Sequence, residues 1–217
     1  MEMSWSAGSA CVNGLQLHWE ETGPANGDPV LLVMGLGGQL IHWPDRLASA
    51  LAWYGFRVIR FDNRDAGLSG DSDGGLRFSI ARDFLRSRFG LPAKSNYTLH
   101  DMAADTVGLL DVLGLKSAHF VGASMGGMIA QIAAGTHPKR VRSLTSIMSS
   151  TNCPSLPAAR FDVLLRMAGL GPRPKTREQV INRSVQMLRR VGSPGYPTPL
   201  EYRMRLAGRA YDRAFRP

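Results

Sequence analysis

The chain has 217 residues, 44% hydrophobic and 20% charged, a length and balance that suit a packed globular domain and exclude disordered, collagen-like and disulfide-scaffold chains. The formal net charge of +9 is unevenly spread: residues 1–151 hold 13 Lys+Arg against 13 Asp+Glu, whereas residues 152–217 hold 13 against 4. Two cysteines, Cys11 and Cys153, stand outside any C-x-x-C or Cys/His cluster, so no disulfide framework and no metal site is expected, and a reducing compartment fits.

The start, Met1-Glu2-Met3-Ser4-Trp5-Ser6, has neither a basic opening nor an apolar run of signal-peptide length, and no window approaches 18 uninterrupted apolar residues. A cytoplasmic protein with no membrane segment is the expectation. Leu15 to Glu20 alternates apolar and polar after Asn13-Gly14, which predicts an antiparallel hairpin. Val30 to Met34 is short and continuously apolar, as in a strand covered on both faces, and Phe56 to Phe61, Ala118 to Val121 and, more weakly, Val141 to Met148 share that character. Helical patterns lie between them: Leu40 to Trp53, Leu99 to Leu113 entered through Thr98 and left at Gly114, and Ser124 to His137. Buried strands alternating with helices imply a mostly parallel α/β sheet with right-handed crossovers.

After Ser150 the alternation stops. From Cys153 to the end there are eight prolines, separating three amphipathic Arg-rich pieces: Ala158 to Ala168, Thr176 to Val191 and Pro199 to Phe215. The expected organisation is an α/β core over residues 1–151 and an incomplete helical cap over residues 152–217. The cap's arginines alternate with apolar residues at helical spacing, without a dense basic cluster or a set of stacking aromatics, which argues against nucleic acid as a partner.

Gly122-Ala123-Ser124-Met125-Gly126 is the sharpest chemical signal. It follows a buried strand and precedes a helix, the placement a nucleophile elbow requires, because the turn is tight enough to demand small residues and presents the serine hydroxyl beside a helix N-terminus. An ordinary serine N-cap is the alternative. Met34-Gly35-Leu36-Gly37-Gly38 ends the strand that begins at Val30. A serine attacking a carbonyl creates an oxyanion that needs preset backbone donors, and the Leu36 and Met125 N–H groups are the candidates. A plain Gly-rich turn or a phosphate cradle is the alternative, although neither G-x-x-x-x-G-K-[ST] nor G-x-G-x-x-G occurs at this loop. In Phe61-Asp62-Asn63-Arg64-Asp65-Ala66-Gly67-Leu68-Ser69, at the end of the next strand, Arg64 and the two aspartates read as braces of a ligand-facing loop.

Leu32 to Gly35, Trp43-Pro44-Asp45, Arg60 to Ser69 and the elbow, in this order and spacing, resemble the α/β-hydrolase superfamily, and within it the branch of aclacinomycin methylesterase-like hydrolases. The resemblance implies an eight-stranded sheet, a helical cap after the sixth strand, a Ser-Asp-His triad in that chain order and no cofactor. It carries Ser124 over as the nucleophile but supplies no acid or base, since in the family these follow the cap and the chain stops at Pro217 inside a cap-like segment. A C-terminally truncated form with the last strands missing is therefore expected, almost inactive alone. Of the five histidines, His137 lies along the elbow helix about 20 Å from Ser124. His18, His100 and His119 read as packing or surface residues, and His42, just after the Gly-rich loop, is the one placed near the site.

The expected activity is hydrolysis of a small-molecule carboxylic ester by acyl transfer through Ser124. Thioester, amide and carbon–carbon cleavage share the constellation, and a non-catalytic binding module is the alternative. Substrate-binding residues and oligomeric state are not readable from the sequence.

Overall fold

A computed structural model of the chain describes residues 4–72, 86, 89–91, 96–151, 153, 155–156, 163 and 174–215. Two compact units divide it, one of residues 1–73 and 96–153, the other of residues 74–95 and 154–217.

The first unit is built on a six-stranded sheet: β1 (Ser6–Val12), β2 (Leu15–Thr22), β3 (Asp28–Val33), β4 (Phe56–Phe61), β5 (Ala118–Ala123) and β6 (Val141–Ile147), in the spatial order β1-β2-β4-β3-β5-β6. The β1–β2 hairpin turns through Asn13 (φ 49°) and Gly14 (φ 79°), as the Asn-Gly pair predicts. The β2–β4 pair is also antiparallel, and β4, β3, β5 and β6 run parallel. Helices α1 (Asp45–Trp53), α2 (Leu99–Val112) and α3 (Met125–Thr136) form the crossovers.

Strand β3 is buried from Pro29 to Val33 because side chains on both its faces find partners. On one face Val30 and Leu32 join Val58 beneath Ala48 and Ala52 of α1 and the Trp43 ring. The intervening Leu31, Val33 and Ile59 point to the other face and are equally buried. Each such side chain contributes about 1.5–3 kcal/mol by leaving water.

Two sequence expectations change. The pattern from Leu40 to Trp53 is not one helix: a 3₁₀ turn covers Leu40–His42, and α1 starts only after Pro44, which lacks the N–H an interior helical position needs. Strand β6 is not covered on both faces. Its residues from Arg142 to Ile147 are exposed, and β5 is its sole paired neighbour among the described residues. Leu99–Val112 does form a helix, capped by Thr98, whose hydroxyl accepts the His100 and Asp101 N–H groups while the Asp101 carboxylate accepts the Thr98 N–H.

In the second unit, α4 (Arg177–Val191) and α5 (Leu200–Arg213) pack Ile181 and Val185 against Ala207. A bidentate Arg177–Asp212 pair with contacts of 2.8 and 2.7 Å spans the two helices. The expected helix at Ala158 to Ala168 lies outside the described residues, Val163 apart. No helix among the described residues is long and apolar enough to cross a membrane, and no cluster of three or more His, Cys, Asp or Glu there could hold a metal ion.

Candidate active site

Ser124 follows β5 and precedes α3 with φ 54° and ψ −122°, a backbone state that a side chain rarely adopts. Its N–H donates to the Ile147 carbonyl at 2.9 Å, and its carbonyl accepts the Gly127 N–H at 2.9 Å, so the turn is pinned from both sides. The hydroxyl makes no capping bond to α3. Half-buried and, among the described residues, unengaged, it is not an ordinary helix cap.

The neighbouring glycines are steric necessities. A β-carbon on Gly122 would lie 2.3 Å from the Gly126 carbonyl oxygen, and one on Gly126 would lie 2.1 Å from that of Val33. Strand, turn and helix thus approach more closely than any side chain permits. Gly35 completes the contact from the other loop: a β-carbon there would sit 3.0 Å from Ser124 Cβ and 3.6 Å from the Met125 nitrogen.

The loop carrying Gly35 is a tight turn closed by the Gly38 N–H on the Gly35 carbonyl at 3.1 Å, with Gly37 at φ 66°. Leu36 holds the second position of that turn, so its own N–H is not consumed by the closing bond. Met125 heads α3, where backbone N–H groups have no intrahelical acceptor. The two candidate donors therefore belong to adjoining segments, which meet where Gly35 lies against Ser124.

Two consecutive residues after β4 grip this loop. Asn63 Nδ2 donates to the Met34 carbonyl at 2.8 Å, and Asp62 Oδ1 accepts the Leu40 N–H at 2.7 Å. The other Asp62 oxygen takes the Leu68 N–H at 2.9 Å, and Ser69 Oγ donates to the Asp62 carbonyl. Gly67 is obligatory here, because a β-carbon would fall 2.2 Å from the Asp62 carboxyl carbon. The bracing read from the sequence is thus carried by Asp62, which is fully buried, and by Asp65, whose carboxylate accepts the Ser72 N–H and hydroxyl.

Arg64 braces from the opposite direction. Its guanidinium forms a bidentate pair with Asp105 of α2 at 2.6 and 2.8 Å, and Asn13 Nδ2 donates to the same carboxylate at 2.9 Å. Burial pulls the Arg64 pKa down, but the hydrogen bond and charge of Asp105 outweigh it, so the guanidinium stays firmly protonated. Tyr97 lies under Arg64, whose Cζ is 4.9 Å from the ring centre. Burial, then the nearby Asp65 carboxylate, pushes the Tyr97 phenol well above its ordinary value.

His42 engages its own turn through Nδ1. Its Nδ1 accepts the Gln39 N–H at 2.9 Å and closes the cap of the 3₁₀ turn. His137 ends α3, His18 lies on β2 and His100 in the first turn of α2. His119 Nδ1 lies 2.7 Å from Ser143 Oγ on the neighbouring strand. Among the described residues, nothing hydrogen-bonds the Ser124 hydroxyl. Sequence reasoning missed Asn63 and also Arg60, which is buried on β4 between Glu20, Asp45 and the Trp43 carbonyl with the Trp5 ring stacked at 3.9 Å. A strand arginine gives no periodic signal that it faces inward.

The model of the α/β hydrolase fold matches residues 28–197. The chain belongs to the α/β-hydrolase family. Among curated proteins, this α/β hydrolase is 35% identical over 169 residues to the putative carbamate hydrolase RutD of Variovorax paradoxus (strain S110), covering 77% of this chain and 55% of that protein. It is 27% identical over 188 residues to the rhodomycin D methylesterase DnrP of Streptomyces peucetius, covering 78% and 56%. The chain therefore spans about half the length of these relatives. A solved structure described as a membrane phospholipase A, a bacterial virulence factor, superposes with a TM-score of 0.64 at 24% identity, covering 96% of this chain and 58% of that one, a likeness of fold.

Proposed function

We propose that this α/β hydrolase cleaves carboxylic esters of small molecules by acyl transfer through Ser124. The observation that carries the reading is the strained backbone of Ser124 between β5 and α3, with the side chain beside Gly35 and its hydroxyl unengaged among the described residues. In the reaction, Ser124 Oγ adds to the acyl carbon and the carbonyl electrons move to oxygen. The Leu36 and Met125 N–H groups receive that oxyanion, its collapse expels the alcohol, and water then releases the acid. Relatives named a methylesterase and a putative carbamate hydrolase support attack at a carbonyl carbon. Ser124 needs a general base, and this reading takes the base and its orienting acid from outside the described residues.

Labelling with a fluorophosphonate tests the nucleophile. Stoichiometric modification of Ser124, abolished by Ser124→Ala, is the expected result; a folded protein that stays unlabelled sinks the proposal.

The second reading is a binding module that uses the same site without turnover. It is favoured by the lack of any described hydrogen-bonding partner for the Ser124 hydroxyl. Saturable binding of an ester that is recovered intact, with no labelling of Ser124, would establish it.

A further inference from the structure

We propose that Asn63 is a positioning residue for oxyanion stabilisation, acting through the Met34 carbonyl on the turn that carries the Leu36 N–H; this rests on the proposed role of Ser124. The Gly35–Gly38 turn has one internal hydrogen bond, and Gly37 sits at φ 66°, so the turn does not fix its own orientation relative to the elbow. Its entry and exit are fixed instead by two adjacent residues of another loop, Asn63 on the Met34 carbonyl and Asp62 on the Leu40 N–H.

The two anchors differ in what they control. Asp62 holds a point four residues beyond Leu36 and also serves Leu68, so it organises two loops at once. Asn63 holds the carbonyl two residues before Leu36, next to Gly35, where an added β-carbon would press on Ser124 Cβ at 3.0 Å. Rotation of the Met34–Gly35 peptide would swing the Leu36 N–H away while leaving Ser124 itself pinned by Ile147 and Gly127. Asn63 is only 4% exposed, and its amide NH₂ is the end that must face a carbonyl, so its orientation is determined by chemistry. A misplacement of about 1 Å in such a donor is enough to cost on the order of 10²-fold in rate.

The test removes the need for a base. In the full chain carrying Ser124→Cys, a thiolate at alkaline pH attacks without help from histidine. Acylation by p-nitrophenyl acetate passes through an oxyanion that collapses to the thioester by breaking the ester C–O bond and expelling p-nitrophenolate; alkylation by iodoacetamide displaces iodide and develops none. The ratio of the two rates at the introduced thiol, resolved from Cys11 and Cys153 by peptide mass spectrometry, isolates oxyanion stabilisation from accessibility and nucleophilicity.

Asn63→Ala is expected to lower that ratio about 10- to 100-fold with alkylation unchanged. Asn63→Ser, whose hydroxyl can still donate over a shorter reach, is expected to fall between. Unchanged alkylation also certifies an intact elbow, and if Asn63→Ala does not fold, Asn63→Ser and the shape-matched Asn63→Asp decide the matter by the same ratio. A ratio unaffected by these substitutions overturns the role of Asn63 alone. A ratio at the introduced thiol no higher than at the exposed Cys153, before Asn63 is touched, overturns the oxyanion donors themselves and Asn63 with them.

Discussion

Gly126 stands so close beneath the end of β3 that a β-carbon on it would lie 2.1 Å from the Val33 carbonyl oxygen and 2.7 Å from the Val33 carbonyl carbon. Both are backbone atoms of a strand paired on each side, so neither can give way. Gly126→Ala is therefore expected to cost about 3 kcal/mol or more, or to prevent folding, through overpacking against fixed backbone. Gly135, on the same helix, has nothing within 4 Å of a built β-carbon. Gly135→Ala should stabilise by about 0.5–1 kcal/mol through helix propensity alone. Urea midpoints of the two variants, measured side by side, should move in opposite directions.

The Arg64–Asp105 pair gives a second prediction. Its side chains are 10% and 3% exposed, so Asp105→Ala strands a guanidinium in a poorly solvated site. A loss of about 3–5 kcal/mol is expected for this single change. Replacing both partners by apolar residues, Arg64→Met with Asp105→Leu, should cost clearly less than Asp105→Ala, because no charge is then left uncompensated. Chemical denaturation of the three proteins gives the comparison. A double variant as unstable as Asp105→Ala would mean that the loss comes from packing and from the Asn13 contact rather than from the buried charge.

Tyr97 makes the fold sensitive to alkali. Its phenol titrates higher in the folded chain than the 10.0 of a free tyrosine, chiefly because it is buried and secondarily because Asp65 is near. The folded state thus holds the proton more tightly than the unfolded state, and the stabilisation is complete below about pH 10 and lost as pH rises beyond that. Tyr97→Phe should flatten the fall in stability between about pH 9 and pH 11, by no more than about 1.4 kcal/mol per pH unit. Denaturation midpoints across that range are the measurement, and parallel curves for the two proteins would remove Tyr97 as the cause.

Local chemistry made much of this arrangement readable in advance. The Asn13-Gly14 turn, the Thr98 cap and the elbow glycines each demand a particular residue for a steric or hydrogen-bonding reason, and each reason operates within a few residues of chain. The Leu40 to Trp53 pattern misled because apolar spacing carries through Pro44 even though the backbone hydrogen bonds do not. Strand β6 misled because burial depends on what covers a strand, and the run Val141 to Ile147 says nothing of its neighbours. Asn63 and Arg60 were the least legible. Each is a polar residue buried for partners 15 to 40 positions away, such as Asp45 and Glu20 for Arg60, and no periodicity encodes such distances.

The last prediction concerns the strain at Ser124. A φ of 54° with ψ of −122° costs a serine about 1–3 kcal/mol but costs glycine nothing. Against this relief, glycine adds flexibility to the unfolded chain worth about 0.5–1 kcal/mol. Because the Ser124 hydroxyl makes no capping bond, Ser124→Gly forfeits no hydrogen bond among the described residues. It should therefore stabilise the protein by about 1 kcal/mol while abolishing fluorophosphonate labelling. Ser124→Ala keeps a β-carbon in the same strained backbone, so it should abolish labelling without the gain. Thermal denaturation of the three proteins separates the cases. If Ser124→Gly and Ser124→Ala prove equally stable, the elbow stores no strain at this residue, and the tight turn is maintained by the Gly122 and Gly126 contacts alone.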